Sequence, residues 1–126
     1  MATSTYTETN TFDNKSRLSQ KSSFNSADAG GTTHNFNYTY NATTGLLETV
    51  QYPTSTSSYR LKLLYTYQNG HLLNIKDFAA QSTVFWAANN VNARGQPTQQ
   101  TFGNGVVTNR VFDAVTGLMG SQTAGV

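Results

Sequence analysis

One short unit keeps returning in this chain: an aromatic or apolar residue, a polar turn that usually holds glycine, then apolar residues. Such self-similarity decides the class of fold, because each copy is one supersecondary unit that buries its apolar surface only against its neighbours. The first copy is Phe12-Asp13-Asn14-Lys15-Ser16-Arg17-Leu18 and the second is Tyr40-Asn41-Ala42-Thr43-Thr44-Gly45-Leu46-Leu47. The third is Tyr67-Gln68-Asn69-Gly70-His71-Leu72, and a degenerate fourth runs Val91-Asn92-Ala93-Arg94-Gly95-Gln96-Pro97. The fifth, Phe112-Asp113-Ala114-Val115-Thr116-Gly117-Leu118, is close to the second.

Each unit reads as a β-hairpin. Asp or Asn at the head of a turn hydrogen-bonds its own backbone two residues on, and Gly supplies positive φ without steric cost. The flanks alternate: Leu61, Leu63, Tyr65 and Tyr67 fall on one face, and Lys62, Leu64 and Thr66 on the other. Asn104-Gly105 adds another tight-turn signal, while Gly30-Gly31 and the stretch 53–58 read as longer connections. The expected architecture is all-β, an antiparallel hairpin meander of about ten strands. The expected spans are 5–12, 17–25, 32–40, 46–52, 59–67, 71–78, 83–91, 96–102, 106–112 and 118–123. No segment has helical periodicity. Length makes 1–126 a single domain of five hairpin units, either a section of an open wall or a small closed barrel.

These units resemble the YD repeats, also called RHS repeats, whose loose pattern is Tyr-Asp, a few residues, Gly, a polar or basic residue, then Leu. Phe112-Asp113-Ala114-Val115-Thr116-Gly117-Leu118 fits well with Phe for Tyr, and Val91 to Leu118 resembles the shell of bacterial insecticidal toxin-complex and polymorphic toxin proteins. The departures are specific. Ser16 stands in place of Gly in the first unit and Pro97 in place of Leu in the fourth. Neither proline follows an aspartate, so the family's self-cleaving core does not carry over. The resemblance implies a non-catalytic segment of a β-shell that encapsulates a toxin or forms a cell-surface scaffold. It implies, as partners, the remainder of a larger RHS protein or the enclosed toxin polypeptide. It also implies a secreted or cell-surface location in a bacterial toxin-like protein. A strip of five hairpins leaves two edge strands, which invites self-association.

Composition narrows the chemistry. The net charge of +2 rests on scattered residues, Lys15, Arg17, Lys21, Arg60, Lys62, Lys76, Arg94 and Arg110, so a nucleic-acid partner is not expected. There is no cysteine, which excludes disulfides, thiol catalysis and Cys-based zinc sites. Met1 to Asn10 is polar, without a signal-peptide core, and no run approaches a membrane helix, so the chain reads as a piece of a longer protein or one that travels by another route.

No catalytic residue, metal site or cofactor is expected. His34 and His71 lack any ligand spacing. Asp13 and Asp113 occupy equivalent turn heads, where capping explains them. The aromatics carry the alternative reading, a small barrel that binds carbohydrate or an apolar ligand. Its candidate residues are Trp86, Tyr65, Tyr67 and Tyr40, with Trp86 foremost because adjacent Phe85 and Trp86 face opposite sides of a strand.

Overall fold

The computed structural model describes residues 4–28 and 31–126; Met1 and Ala2 in the N-terminal stretch, and Gly30 of the Gly30-Gly31 pair, lie outside the described residues. Ten strands form in sequence: β1 Tyr6–Phe12, β2 Leu18–Asn25, β3 Thr33–Tyr40, β4 Leu47–Gln51, β5 Lys62–Gln68, β6 His71–Asp77, β7 Val84–Val91, β8 Pro97–Phe102, β9 Val107–Phe112 and β10 Met119–Gly125. The sheet order follows the chain from β1 to β10, and no helix occurs among the described residues. The meander expected from the turn residues is what forms. The closed-barrel alternative does not: β1 and β10 are the two ends of the order, each with one neighbour. Among the described residues, no helix is long and apolar enough to cross a membrane.

The chain packs as two compact units, Met1–Leu63 and Leu64–Val126. In the first, directly opposed residues share a face, so the ladder sorts side chains by chemistry. Thr9 opposes Ser22, Ser22 opposes Asn35, Asn37 opposes Gln51, and Thr39 opposes Thr49. This face is polar and bonded sideways. Ser22 Oγ donates to Asn35 Oδ1 at 2.6 Å, and the Thr39 and Thr49 hydroxyls meet at 2.7 Å. The opposite face carries Phe36, Tyr38 and Val50, with Phe36 edge-on to Tyr52 at 5.3 Å between ring centres. Glu8 and Lys21 pair there at 3.0 Å.

The second unit repeats the scheme with different residues. Ala88, Gln100 and Thr108 lie in one transverse row and are all buried. Arg110 staples three strands beside them, donating to Gln100 Oε1 on β8 at 2.9 Å and to Gln122 Oε1 on β10 at 2.7 Å. Core and polar ladder are thus interleaved. This is how a chain with 37% hydrophobic residues satisfies its interior, since a buried polar group costs little when it is hydrogen-bonded.

Candidate functional site

The connections after β1, β3, β5, β7 and β9 carry the repeated motif, and within each unit alternate connections of an antiparallel meander leave it on the same side. We number them turns 1 to 5. Turns 1 and 4 are one five-residue design. In turn 1 Asp13 N donates to Arg17 O at 2.8 Å, and Asp13 Oδ1 accepts from Lys15 N and Arg17 N. In turn 4 Asn92 N donates to Gln96 O at 3.0 Å, and Asn92 Oδ1 accepts from Arg94 N and Gln96 N. Turns 2 and 5 are a six-residue design. Asn41 Oδ1 accepts from Thr43 N, Thr44 N and the Thr44 hydroxyl, and Asp113 Oδ1 accepts from Val115 N, Thr116 N and the Thr116 hydroxyl. Turn 3 is the shortest. Asn69 and Gly70 both have positive φ, the mark of a two-residue hairpin turn of the mirror-image type.

The aspartates therefore cap turns, as their equivalent positions indicate. Arg17, through its backbone N–H first and its guanidinium second, holds the Asp13 carboxyl below the usual carboxylate range. Thr116, through backbone N–H and hydroxyl, does the same for Asp113. Both effects follow from hydrogen bonds that favour the charged form.

Side chains also run from one turn to the next. Arg17 places its guanidinium 4.3 Å from the centre of the Tyr40 ring and donates to Gly45 O in turn 2 at 3.4 Å. Arg94 donates from turn 4 to Ala114 O at 3.0 Å and Val115 O at 2.7 Å in turn 5, and Gln96 Nε2 donates to Gly117 O at 2.9 Å. His71, just after turn 3, lies where a side chain on Gly95 of turn 4 would go, and Arg94 occupies the same place over Gly117. These glycines are thus required twice, for positive φ and for the space above them.

Lysines and arginines were expected to be scattered along the chain, not clustered. The structure gives all four arginines a lateral role: Arg60 also spans strands, donating to Tyr52 O, Asn35 O and Asn37 Oδ1. The usable signal was position, since Arg17 and Arg94 sit inside the turn motif itself.

The aromatic candidates fare differently. Tyr40 is committed: its hydroxyl donates to Leu18 O at 2.9 Å while Arg17 covers its ring. Trp86 is half-buried between its cross-strand neighbours Ile75 and Phe102. The outward-facing member of the adjacent pair is Phe85, at 39% exposure, so the exposure expected of Trp86 falls one residue earlier. Thr66 shares a face with Asn74, to which its hydroxyl donates at 2.6 Å, and Asn74 opposes Ala87. Tyr65 and Tyr67 therefore lie on the other face, with Trp86. They are half-buried too, and burial pushes the Tyr67 phenol up. Tyr40 belongs to the first unit and the other three to the second. The wide depression over β6 and β7 is lined by Gln68, His71, Leu73, Ala88 and Asn90 rather than by these rings.

His34 lies 3.6 Å from Asp28, and no cluster of three or more metal-ligating side chains occurs among the described residues. No protein-family model matches the chain, and no curated protein matches it.

Proposed function

We propose that this chain is a non-catalytic wall segment: a strip of YD/RHS-type hairpins whose work is to extend a β-surface that encloses or displays another polypeptide. The observation that carries this reading is the side chain laid from one turn onto the next within each unit: Arg17 onto turn 2, His71 beside Gly95 of turn 4, Arg94 onto turn 5. Such a device serves propagation. Where such a contact forms, one hairpin steadies the next, which is the nearest-neighbour logic of repeat proteins. Asp13, Arg17, Asn41, Asn92, Arg94 and Asp113 of the motif are engaged in turn closure or in contacts to the next turn, which favours a shape-bearing role over chemistry at those turns.

As part of a secreted or cell-surface toxin-like protein, the segment would have the remainder of that protein as its first partner. The reading is tested on ligands. A glycan array and a panel of hydrolase substrates, run with the wild-type chain and Trp86→Ala, are expected to give no saturable signal in either. A sugar signal lost in Trp86→Ala would replace the wall reading with an aromatic binding face. A hydrolase activity abolished by one substitution would replace it with an enzyme.

A further inference from the structure

Two Asn-Gly pairs occur in the chain, Asn69-Gly70 in turn 3 and Asn104-Gly105 between β8 and β9, and both are exposed. An asparagine in front of a glycine carries a built-in reaction. The backbone nitrogen of the glycine is a nucleophile for the asparagine side-chain carbonyl, and with no Cβ on the glycine nothing local blocks its approach. In a folded chain the reaction is governed by how firmly those two groups are held.

The two pairs differ in that respect. At the second, both reacting groups are engaged: Gly105 N donates to Phe102 O at 2.9 Å, and Asn104 Oδ1 accepts from Val106 N at 3.2 Å. Phe102 N donates to Val106 O at 2.9 Å, which locks that loop across its base. At the first, neither the Asn69 amide nor the Gly70 N–H has a hydrogen-bond partner among the described residues. Beyond its two chain neighbours, nothing comes within 4 Å of a Cβ position at Gly70. The asparagines at the heads of turns 2 and 4 are protected twice. Each precedes alanine, and each Oδ1 accepts from backbone N–H groups.

We propose that Asn69-Gly70 is a self-modifying site: Asn69 deamidates in the folded chain, and the isoaspartate formed there withdraws His71 from turn 4. Gly70 N forms a bond to Asn69 Cγ, the Cγ–Nδ2 bond breaks, and Nδ2 leaves as ammonia with the proton from Gly70 N. Water then opens the cyclic imide. Cleavage on the Cγ side gives aspartate; cleavage on the main-chain carbonyl side gives isoaspartate, in which Cβ and Cγ become part of the backbone. The main chain is then an atom longer in a turn whose tight mirror-image geometry is matched to its strands. His71 follows directly, and its ring is what fills the space above Gly95. The contact from turn 3 to turn 4 therefore depends on the chemical age of the chain. The site rests on the chemistry of this pair and not on the wall reading.

The test is incubation of the intact chain at mildly alkaline pH, followed by tryptic mapping with mass spectrometry. Tryptic 63–76 carries Asn69 and 95–110 carries Asn104. In the native chain Asn69 is expected to exchange its amide for a hydroxyl severalfold faster than Asn104, with isoaspartate, recognised by fragmentation, as the main product. In strong denaturant the two rates should come together, since both sites are then plain Asn-Gly. Asn104 reacting as fast as Asn69 in the native chain would overturn the site. So would two intact asparagines after a period that converts both in denaturant.

The effect on His71 is read by proton NMR at a pH where imidazole is neutral, with His34 as internal reference. In the isoaspartate form the His71 ring signals should move toward those of an unfolded peptide. A fresh Asn69→Asp chain gains the charge but keeps the backbone length, and Asp-Gly suits the same turn, so its His71 signals should stay in place. Unmoved His71 signals in the isoaspartate form would overturn the link to turn 4, and so would an equal movement in Asn69→Asp.

Discussion

Turn 1 and turn 4 close the same five-residue loop although they differ at every position, and the head and the left-handed position are the instructive two. At the head, Asp13 adds a salt bridge of 2.7 Å to Arg17, whereas Asn92 bonds the Gln96 side chain at 2.9 Å. At the left-handed position, Ser16 has φ 58° and Gly95 has φ 79°. Ser16 stands in the hairpin that begins the sheet order, while the space above Gly95 is taken by His71 of the preceding hairpin. The same backbone geometry thus tolerates a side chain at Ser16 and excludes one at Gly95, where His71 fills the space. Glycine is demanded there by the neighbour as much as by the turn.

Exchanging those residues should break the symmetry in opposite directions. Gly95→Ser is expected to destabilise by about 2 kcal/mol, combining left-handed strain with displacement of His71. In a His71→Ala background the cost should shrink toward the strain alone, about 1 kcal/mol. Denaturant midpoints of the four chains in that cycle give the coupling directly. An uncoupled pair would mean that the turn, and not its neighbour, sets the demand.

Arg94→Ala comes next. It removes two hydrogen bonds from a cation to turn 5 carbonyls and is expected to cost about 1 kcal/mol. Amide exchange should quicken in 113–118 more than in 92–96, since the clamp acts on the turn it reaches. Ser16→Gly is smaller and of opposite sign, a gain of about 0.5 kcal/mol, because relief of strain is offset by the wider freedom of glycine in the unfolded chain. A loss of stability there would show that the Ser16 side chain contributes something the turn geometry does not reveal.

The smallest effect is one of pH. Asp13 and Asp113 have folded-state values held below those of an unfolded aspartate, so their contribution is present above the unfolded value, about 4, and is lost as pH falls through the folded one. Asn41 and Asn92 do the same work without titrating. Replacing Asp13 and Asp113 by Asn should therefore flatten the dependence of the thermal midpoint on pH below about 4, relative to the wild type. An unchanged acid limb would assign it to other carboxylates, among them Glu8, held down chiefly by Lys21, and the turn-capping Asp77.

Much of this was readable because turns are written in local chemistry. Asx heads and Gly positions mark where each strand stops, and every expected strand has a counterpart in the structure. The largest displacement is at β5, which begins at Lys62 and not at Tyr59. The cause is a turn without glycine: Ser55 N donates to Tyr59 O at 2.8 Å, and Ser58 takes φ 62°. A serine in the left-handed region leaves no compositional trace.

The rim was less legible. A clamp such as Arg94 to Val115 joins residues far apart in sequence, and its signal is a distance across strands that no local pattern encodes. Trp86 shows the same limit. Alternation predicts that Phe85 and Trp86 face opposite sides, but which side is covered depends on the cross-strand neighbours, here Ile75 and Phe102 beside Trp86. Tyr40 was legible as an aromatic in the motif but not as the receiver of Arg17.

The order in which the strands lie has a consequence for how the chain acquires its shape. Every strand pairs with the strand made just before it, so no early segment waits for a distant one to be synthesised. Loop closure at each step spans one short connection and incurs a correspondingly small entropy cost. All-β proteins are slow folders when their pairings are non-local; here each hairpin, once it leaves the ribosome, finds its docking edge already in place. Growth by accretion also means that the leading edge is exposed throughout synthesis, so the surface on which the next strand assembles is the same surface on which an unrelated chain would aggregate.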